Sequence, residues 1–225
     1  MKCVAALVLL LSTSTQAFVG PKLTSYRYAP SELKAKSDDV VNQRAFAVGT
    51  FVEFHEKKRV HVGKIVSLEH KSNGGARYTV ESEGKNFNIA DKAVDFAMAC
   101  PNSPGQAEKL YHEFEEAQHA SDQEIRSKLD ISPELLEMAW QEAEENESHT
   151  LTPDSLIELV HSHAASAIEK YMAWKLLKSD MAHIFFKDLK DHGRVVAFKA
   201  KTQNAVDVAK DVFCRNHDDE EYCYV

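Results

Sequence analysis

Apolar residues recur at helical spacing through the second half of the chain, and two of the predicted helices carry the same start signal. At Ser132 and at Thr152 a hydroxyl residue stands directly before a proline. The hydroxyl accepts a hydrogen bond from a free backbone N–H, and proline has no N–H to leave unpaired at the first helical position. The apolar residues that follow fall three and four positions apart, which one buried helix face requires. The pattern predicts a helix after each of these residues.

The segments around these two helices predict further helices and a hairpin. Residues 171–177 keep the helical spacing, and the runs 184–186 and 195–198 are rich in β-forming residues on either side of a polar turn. The order helix, helix, helix, hairpin is the layout of a winged helix. Two amphipathic segments, 106–120 and 122–129, predict helices that precede it.

The first half of the chain has a different period. Between Val48 and Pro101, five short segments alternate apolar and polar residues and are separated by tight turns. Five short strands joined in this way predict a small closed barrel of the SH3-like type. The fold class is therefore expected to be α+β, with a small SH3-like β-barrel followed by an α-helical winged-helix domain. Such barrels bind ligands more often than they catalyse reactions, although fold alone does not establish function.

Charge changes at the same place as the pattern. Residues 49–98 contain 8 Lys/Arg and 7 Asp/Glu, whereas residues 103–180 contain 6 and 17, so the helical part is strongly acidic and is a candidate surface for a protein partner. The net charge of −8 argues against a protein that coats nucleic acid generally. The predicted organisation is a signal peptide at 1–17, a transit-like disordered segment at 18–47, the barrel at 48–101, the helical and winged-helix domain at 102–213 and a tail at 214–225.

The first residues resemble a targeting leader. A short basic start is followed by an apolar run, Val4–Leu11, that is too short to span a bilayer, and Ala17 provides the small residue before a cleavage site. Phe18 and a basic segment follow, as in the two-part plastid leaders of algae with complex plastids. We expect plastid localisation, with secretion as the alternative, and no membrane association.

The cysteines favour a reducing compartment. Cys3 is lost with the leader, and Cys100, Cys214 and Cys223 remain as an odd number without paired spacing. A secreted disulfide framework is therefore not expected. No Cys-x-x-Cys motif is present, so a structural zinc site has little support.

One basic concentration in the first domain suggests RNA binding. Lys57, Lys58, Arg59 and Lys64 lie near aromatic residues in the sequence, and Lys190 and Arg194 lie on the predicted wing. Cations that reach phosphates, with rings on which bases stack, are what single-stranded RNA binding uses. In the alternative interpretation these charges are a solvated turn interrupted by Glu53 and Glu56, and the rings belong to the core, namely Phe51, Phe54 and Tyr78.

Other chemistry has weaker support. His161 and His163 do not share a helix face, and no third ligand is apparent, so neither a metal site nor a cofactor is expected. The third helix of the winged unit lacks a set of residues for bidentate reading of bases, so duplex DNA is not an expected partner. No catalytic residue is assigned, and enzymatic activity of this chain stays an open question.

Four motifs in order resemble the N-terminal, non-catalytic region of plastid and cyanobacterial exoribonucleases of the ribonuclease II/R family. Gly49-x-x-Val52-Glu53-Phe54 is similar to the family's barrel entry, and Leu136-Glu137-x-Ala139-Trp140 to its Leu-Glu-x-Ala-Trp helix. Thr152-Pro153-x-x-Leu156 is similar to its Thr-Pro helix start. Tyr171-x-Ala173-x-x-Leu176-Leu177, with Ile184-Phe185-Phe186 after it, is similar to its last helix and wing.

The resemblance implies an RNA-associated module of a 3′-to-5′ exoribonuclease. In that family a large later domain holds magnesium through clustered aspartates and hydrolyses RNA, and no such cluster is recognised in this sequence. Two alternatives stay open: a stand-alone plastid adaptor that binds protein and no RNA, and a truncated form of a full exoribonuclease.

Overall fold

The computed structural model describes residues 45–71, 75–146, 148–191, 193–216 and 223. Two antiparallel sheets and seven α-helices make up this part of the chain, which confirms the predicted α+β class. The predicted signal peptide and residues 18–44 of the predicted transit-like segment lie outside it. Within these described ranges, no helix is both long enough and apolar enough to cross a membrane.

The first sheet is built from five consecutive strands. They are β1 (Phe51–Glu56), β2 (Arg59–His70), β3 (Ala76–Ser82), β4 (Lys85–Ala90) and β5 (Val94–Met98), with a 3-10 turn at Asp91–Ala93 before β5. Their spatial order is β4-β3-β2-β1-β5. Because β2 is 12 residues long, it pairs with β1 along its first half and with β3 along its second half.

Seven helices and a second sheet follow. The helices are α1 (Pro104–His119), α2 (Asp122–Leu129), α3 (Pro133–Glu145), α4 (Pro153–His161), α5 (Ala167–Leu177), α6 (Ala182–Phe185) and α7 (Gln203–Asn216). The second sheet contains β6 (Thr150–Leu151), β7 (Phe186–Asp191) and β8 (Arg194–Ala200) in the order β6-β8-β7. Helices α3, α4 and α5 with this hairpin form the winged unit predicted from the sequence.

Both predicted helix starts are confirmed. The Ser132 hydroxyl accepts a hydrogen bond from Leu135 N at 3.4 Å, and the Thr152 hydroxyl accepts one from Ser155 N at 3.1 Å. A proline occupies the first turn of each helix. The predicted strand at 184–186 is wrong in part, since Ile184 lies in α6 and only Phe186 begins β7. A short apolar run does not distinguish a buried helical turn from a strand.

The prediction that the strands form a closed barrel is wrong. Within the described strands, no hydrogen-bonded ladder joins β4 to β5, so the sheet is open. The sheet is nevertheless curled. The evidence is that the His61 ring on β2 lies 5.0 Å from the Phe87 ring on β4. Strand β5 pairs with β1 and also lies close to β8 of the wing.

Strand β1 is covered on both faces. Val52 and Phe54 lie in the core inside the curled sheet, whereas Phe51 packs in the core formed by the helices and the wing. Glu53 also points to the helical side and is only 6% exposed. The sheet and the helices therefore share a buried boundary, and the described residues belong to one compact unit. The division into domains at 101 stays a prediction.

The folded part of the chain includes Phe46, which the prediction placed in the transit-like segment. Its backbone N–H donates to the Tyr78 hydroxyl at 3.1 Å, and the two rings lie 6.0 Å apart. This contact was not predictable from the sequence, because one aromatic residue in a basic, hydroxyl-rich stretch has no periodic context.

The expectation of unpaired cysteines is wrong for two of them. Cys214 at the end of α7 and Cys223 form a disulfide, and both pack against the helical core. Cys100 is a free, half-buried thiol. The disulfide removes the support that the cysteine count lent to a reducing compartment, since such bonds persist in oxidising ones. The sequence did not indicate the bond, because the two cysteines are nine positions apart and belong to no paired motif.

We expect alkylation to reveal this bond directly. The full chain contains four cysteines. Denatured without reductant, it should take up label on Cys3 and Cys100 alone, and after reduction it should take up label on all four. Intact-mass spectrometry after iodoacetamide treatment checks this, with Cys214→Ser as the control in which Cys223 labels without reduction. Equal labelling with and without reductant in the unsubstituted chain would contradict the bond.

Candidate nucleic-acid interface

The three adjacent cations of the first domain form the tip of the β1–β2 hairpin. Glu56 pairs with Arg59 across the strands, so Lys57 and Lys58 are the two residues of the connection. Lys57 has a φ of 58° and turns the chain in the left-handed region. All three cationic side chains are exposed, with Lys57 87% exposed and only 3.8 Å from the Glu56 carboxylate. We call Lys57, Lys58 and Arg59 the hairpin tip.

The rings expected beside this patch belong to the core. Phe51, Phe54 and Tyr78 are at most 3% exposed, so their faces are closed to a nucleic-acid base. This agrees with the alternative interpretation of those three residues. Glu53 does not interrupt the basic patch, because its carboxylate is buried on the other side of β1 and accepts a hydrogen bond from the Tyr171 hydroxyl.

Two other rings lie at the surface beside the hairpin tip. His61 and Phe87 are half-buried, and each lies 5.5 Å from the buried Phe54 ring. His61 lies two residues after Arg59 and pairs with Phe54 across the hairpin. Phe87 could not be placed there from the sequence, since it comes close only when the sheet curls and carries β4 over the first half of β2.

Lys64 is separated from the hairpin tip. It lies opposite Glu81 in the pairing of β2 with β3 and lines a groove beside helix α1 together with acidic residues. A phosphate there would meet carboxylates. The structure therefore does not bring Lys64 together with the other candidate RNA-binding residues of the sheet.

Arg194 is engaged in holding the wing to the sheet. Its guanidinium forms an ion pair with the Asp91 carboxylate, donates to the Asp91 carbonyl at 3.3 Å and stacks 4.5 Å over the Phe46 ring. The Tyr78 hydroxyl donates to the same carboxylate at 2.7 Å, and burial together with Asp91 raises the pKa of Tyr78 to about 12. With its side chain 20% exposed, Arg194 is an anchor between the wing and the sheet.

Lys190 is the more exposed cation of the predicted wing pair. Its side chain is 57% exposed and lies 3.7 Å from the Asp188 carboxylate. The wing meets the sheet at Asp91, in the turn between β4 and β5.

Two features of the winged unit limit what it can bind. In α5, the helix that would enter a DNA groove, six of the eleven residues are buried, from Tyr171 to Leu177, so it presents no free face. His161 Nε2 lies 2.7 Å from the Leu129 carbonyl, and His163 Nε2 lies 3.1 Å from the Glu169 carboxylate. Both histidines thus have partners in the fold, and no group of potential metal ligands is found among the described side chains.

Comparison with known proteins identifies one part of the chain. Residues 121–205 match the family model "Ribonuclease II, winged helix domain", which covers α2 to the start of α7. No curated protein matches the chain, and no solved structure matches it. The match spans three of the four motifs that carried the resemblance. The winged unit is therefore similar to the winged helix domain of the ribonuclease II family, and this match supports the resemblance to the N-terminal region of those enzymes.

Proposed function

We propose that this chain is the RNA-associated N-terminal module of a ribonuclease II-like 3′-to-5′ exoribonuclease. It holds single-stranded RNA weakly through the hairpin tip, with Lys190 extending the contact from the wing. The observation that carries the proposal is three consecutive exposed cations beside two half-buried rings, on a chain with a ribonuclease II-type winged helix.

The physical basis is counterion release together with stacking. Each cation that neutralises a phosphate releases a condensed counterion, so binding weakens as the salt concentration rises. His61 and Phe87 offer ring edges and faces on which an unpaired base can stack. Neither counterion release nor base stacking depends on the RNA sequence. The module is therefore expected to hold many RNA sequences with similar, low affinity.

Neutralising the hairpin tip should weaken RNA binding and flatten its salt dependence. For K57Q/K58Q/R59Q, the slope of log Kd against log salt concentration should fall by about 2 for a single strand, since each phosphate contact contributes about 0.7. Fluorescence anisotropy with a labelled 20-nucleotide oligouridylate between 50 and 300 mM salt, about the range where such slopes are resolved, measures this.

A matched variant separates a local contact from general charge. K71Q/K109Q/K128Q removes the same charge from three exposed lysines: Lys71 lies just beyond the opposite end of β2, and Lys109 and Lys128 lie on α1 and α2. It should change the slope by less than a third as much as the tip variant. RNA binding that is absent, or that responds equally to both triple variants, would rule out the hairpin tip as the RNA site.

A further inference from the structure

A groove lies between the five-stranded sheet and helix α1. It has a volume of about 500 Å³ and a mostly apolar lining. At its floor Phe51 and Tyr111 meet edge to face with ring centroids 5.3 Å apart. The Tyr111 hydroxyl donates to the Val62 carbonyl at 3.3 Å, which ties the helix to the sheet and holds the groove in shape.

Carboxylates surround this apolar floor. Glu81 and Glu83 come from the sheet side and Glu108 and Glu115 from α1, whereas Lys64 is the one cation of the lining. Within the ranges that the structure describes, none of these four carboxylates forms an ion pair. The groove therefore combines an aromatic lining with a rim of four carboxylates and one lysine, which is net negative.

The dimensions of the groove suit a short extended peptide. From Pro104 to Glu115, helix α1 rises about 16 Å along one face. An extended chain advances about 3.3 Å per residue, so about five residues would follow the groove from end to end. Alternate side chains of such a segment point to the same side, which lets several of them meet the rim.

We propose that this groove docks an extended basic segment of a partner protein, about five residues long. Arginine and lysine carry an apolar stem and a charged end, so their stems can pack against the half-buried Tyr111 in the lining while their ends reach the rim carboxylates. The negative rim repels phosphate, so RNA does not compete for this surface. The inference is independent of the RNA proposal, which concerns the opposite sign of charge on other residues.

A labelled peptide tests the docking site. A fluorescein-labelled heptapeptide that alternates arginine and leucine is titrated with the full chain, and the same peptide with glutamate for arginine serves as the charge control. We expect saturable binding of the arginine peptide alone. E108Q/E115Q should weaken it about tenfold, and E108R should weaken it further, because rim charges contribute modestly and additively at an exposed surface.

Matched variants on α3 exclude a general attraction of an acidic protein for a basic peptide. Glu142 and Glu145 are exposed carboxylates outside the groove. E142Q/E145Q and E142R should leave the affinity within about twofold of the unsubstituted chain. Circular dichroism confirms that each variant is folded. The proposal is overturned if no saturable binding appears up to about 1 mM, or if the α1 and α3 variants weaken binding equally.

Discussion

Replacing Gly63 with alanine should lower the free energy of unfolding by about 3 kcal/mol. Gly63 lies buried in β2, where an added Cβ would stand 2.5 Å from the Glu81 carbonyl oxygen and 2.5 Å from Val80 Cγ1. The carbonyl is backbone in the neighbouring strand β3, so it cannot move away without breaking the ladder. Urea denaturation followed by tryptophan fluorescence measures the loss.

Gly105→Ala makes the same chemical change in open space. Gly105 lies in the first turn of α1, and no atom stands within 4 Å of its added Cβ. Alanine is the better helix former by up to about 1 kcal/mol, so this variant should be as stable as the unsubstituted chain or slightly more stable. If Gly63→Ala unfolded at the same urea concentration as Gly105→Ala, β2 and β3 could not approach each other as the structure shows.

Removing the Tyr171 hydroxyl should cost about 2 kcal/mol, because it leaves a buried acceptor without its partner. The Tyr171 hydroxyl donates to the Glu53 carboxylate between the sheet and α5, and both residues are at most 6% exposed. Burial raises the pKa of Glu53 above its ordinary value of 4.5, and the hydrogen bond opposes that rise. Tyr171→Phe should therefore raise the pKa of Glu53 further.

The pH dependence follows from the sign of this shift. A carboxyl group with a raised pKa in the folded state holds its proton more tightly there than in the unfolded chain. Its contribution to stability is therefore full below pH 4.5 and falls as the pH rises through the folded-state pKa. The cost of Tyr171→Phe should be smaller near pH 4 than above the folded-state pKa of Glu53, where the ionised carboxylate lacks the Tyr171 hydrogen-bond donor.

Glu53→Gln provides the control for this charge. Glutamine keeps an acceptor for the Tyr171 hydroxyl and does not ionise, so its stability relative to the unsubstituted chain should improve from pH 4 to pH 8. Glu56→Gln, at a half-buried neighbouring site with no resolved role in the core, should show no such trend. Thermal unfolding across this pH range measures all three variants. A cost of Tyr171→Phe that does not grow with pH would contradict a buried, ionising Glu53.

Local signals in the sequence were sufficient for the two hydroxyl-proline helices and for the order of elements in the winged unit, but not for the short helix α6. The hydroxyl-proline starts at Ser132 and Thr152 depend on hydrogen bonds within a few residues, so no distant contact was needed to interpret them. The hairpin tip was also readable, because adjacent cations in a two-residue connection have no core to enter. The α+β class followed from the change of period near residue 101.

Some of the candidate RNA-binding residues are exposed and others are engaged in the fold. The difference comes from contacts with residues that are distant in the sequence. Lys57, Lys58 and Arg59 are exposed as expected, whereas Arg194 is held by Asp91, which precedes it by 103 positions. Lys64 faces carboxylates brought beside it by strand pairing and by helix α1. Whether a cation is exposed or paired depends on long-range packing. A single sequence does not reveal this packing.

By itself, the sequence determined where the two hydroxyl-proline helices begin, where the chain changes from strands to helices and which residues carry charge, since these depend on neighbours along the chain. Only the tertiary structure decided that β1 is covered on both faces, that Glu53 is buried and that the sheet stays open. The periodicity of a strand indicates that successive side chains alternate in direction. It does not indicate which elements pack against either face of the strand. The elements that cover each face of a strand are distant from it in the chain. Contacts with these elements determine which cations anchor the fold and which stay exposed.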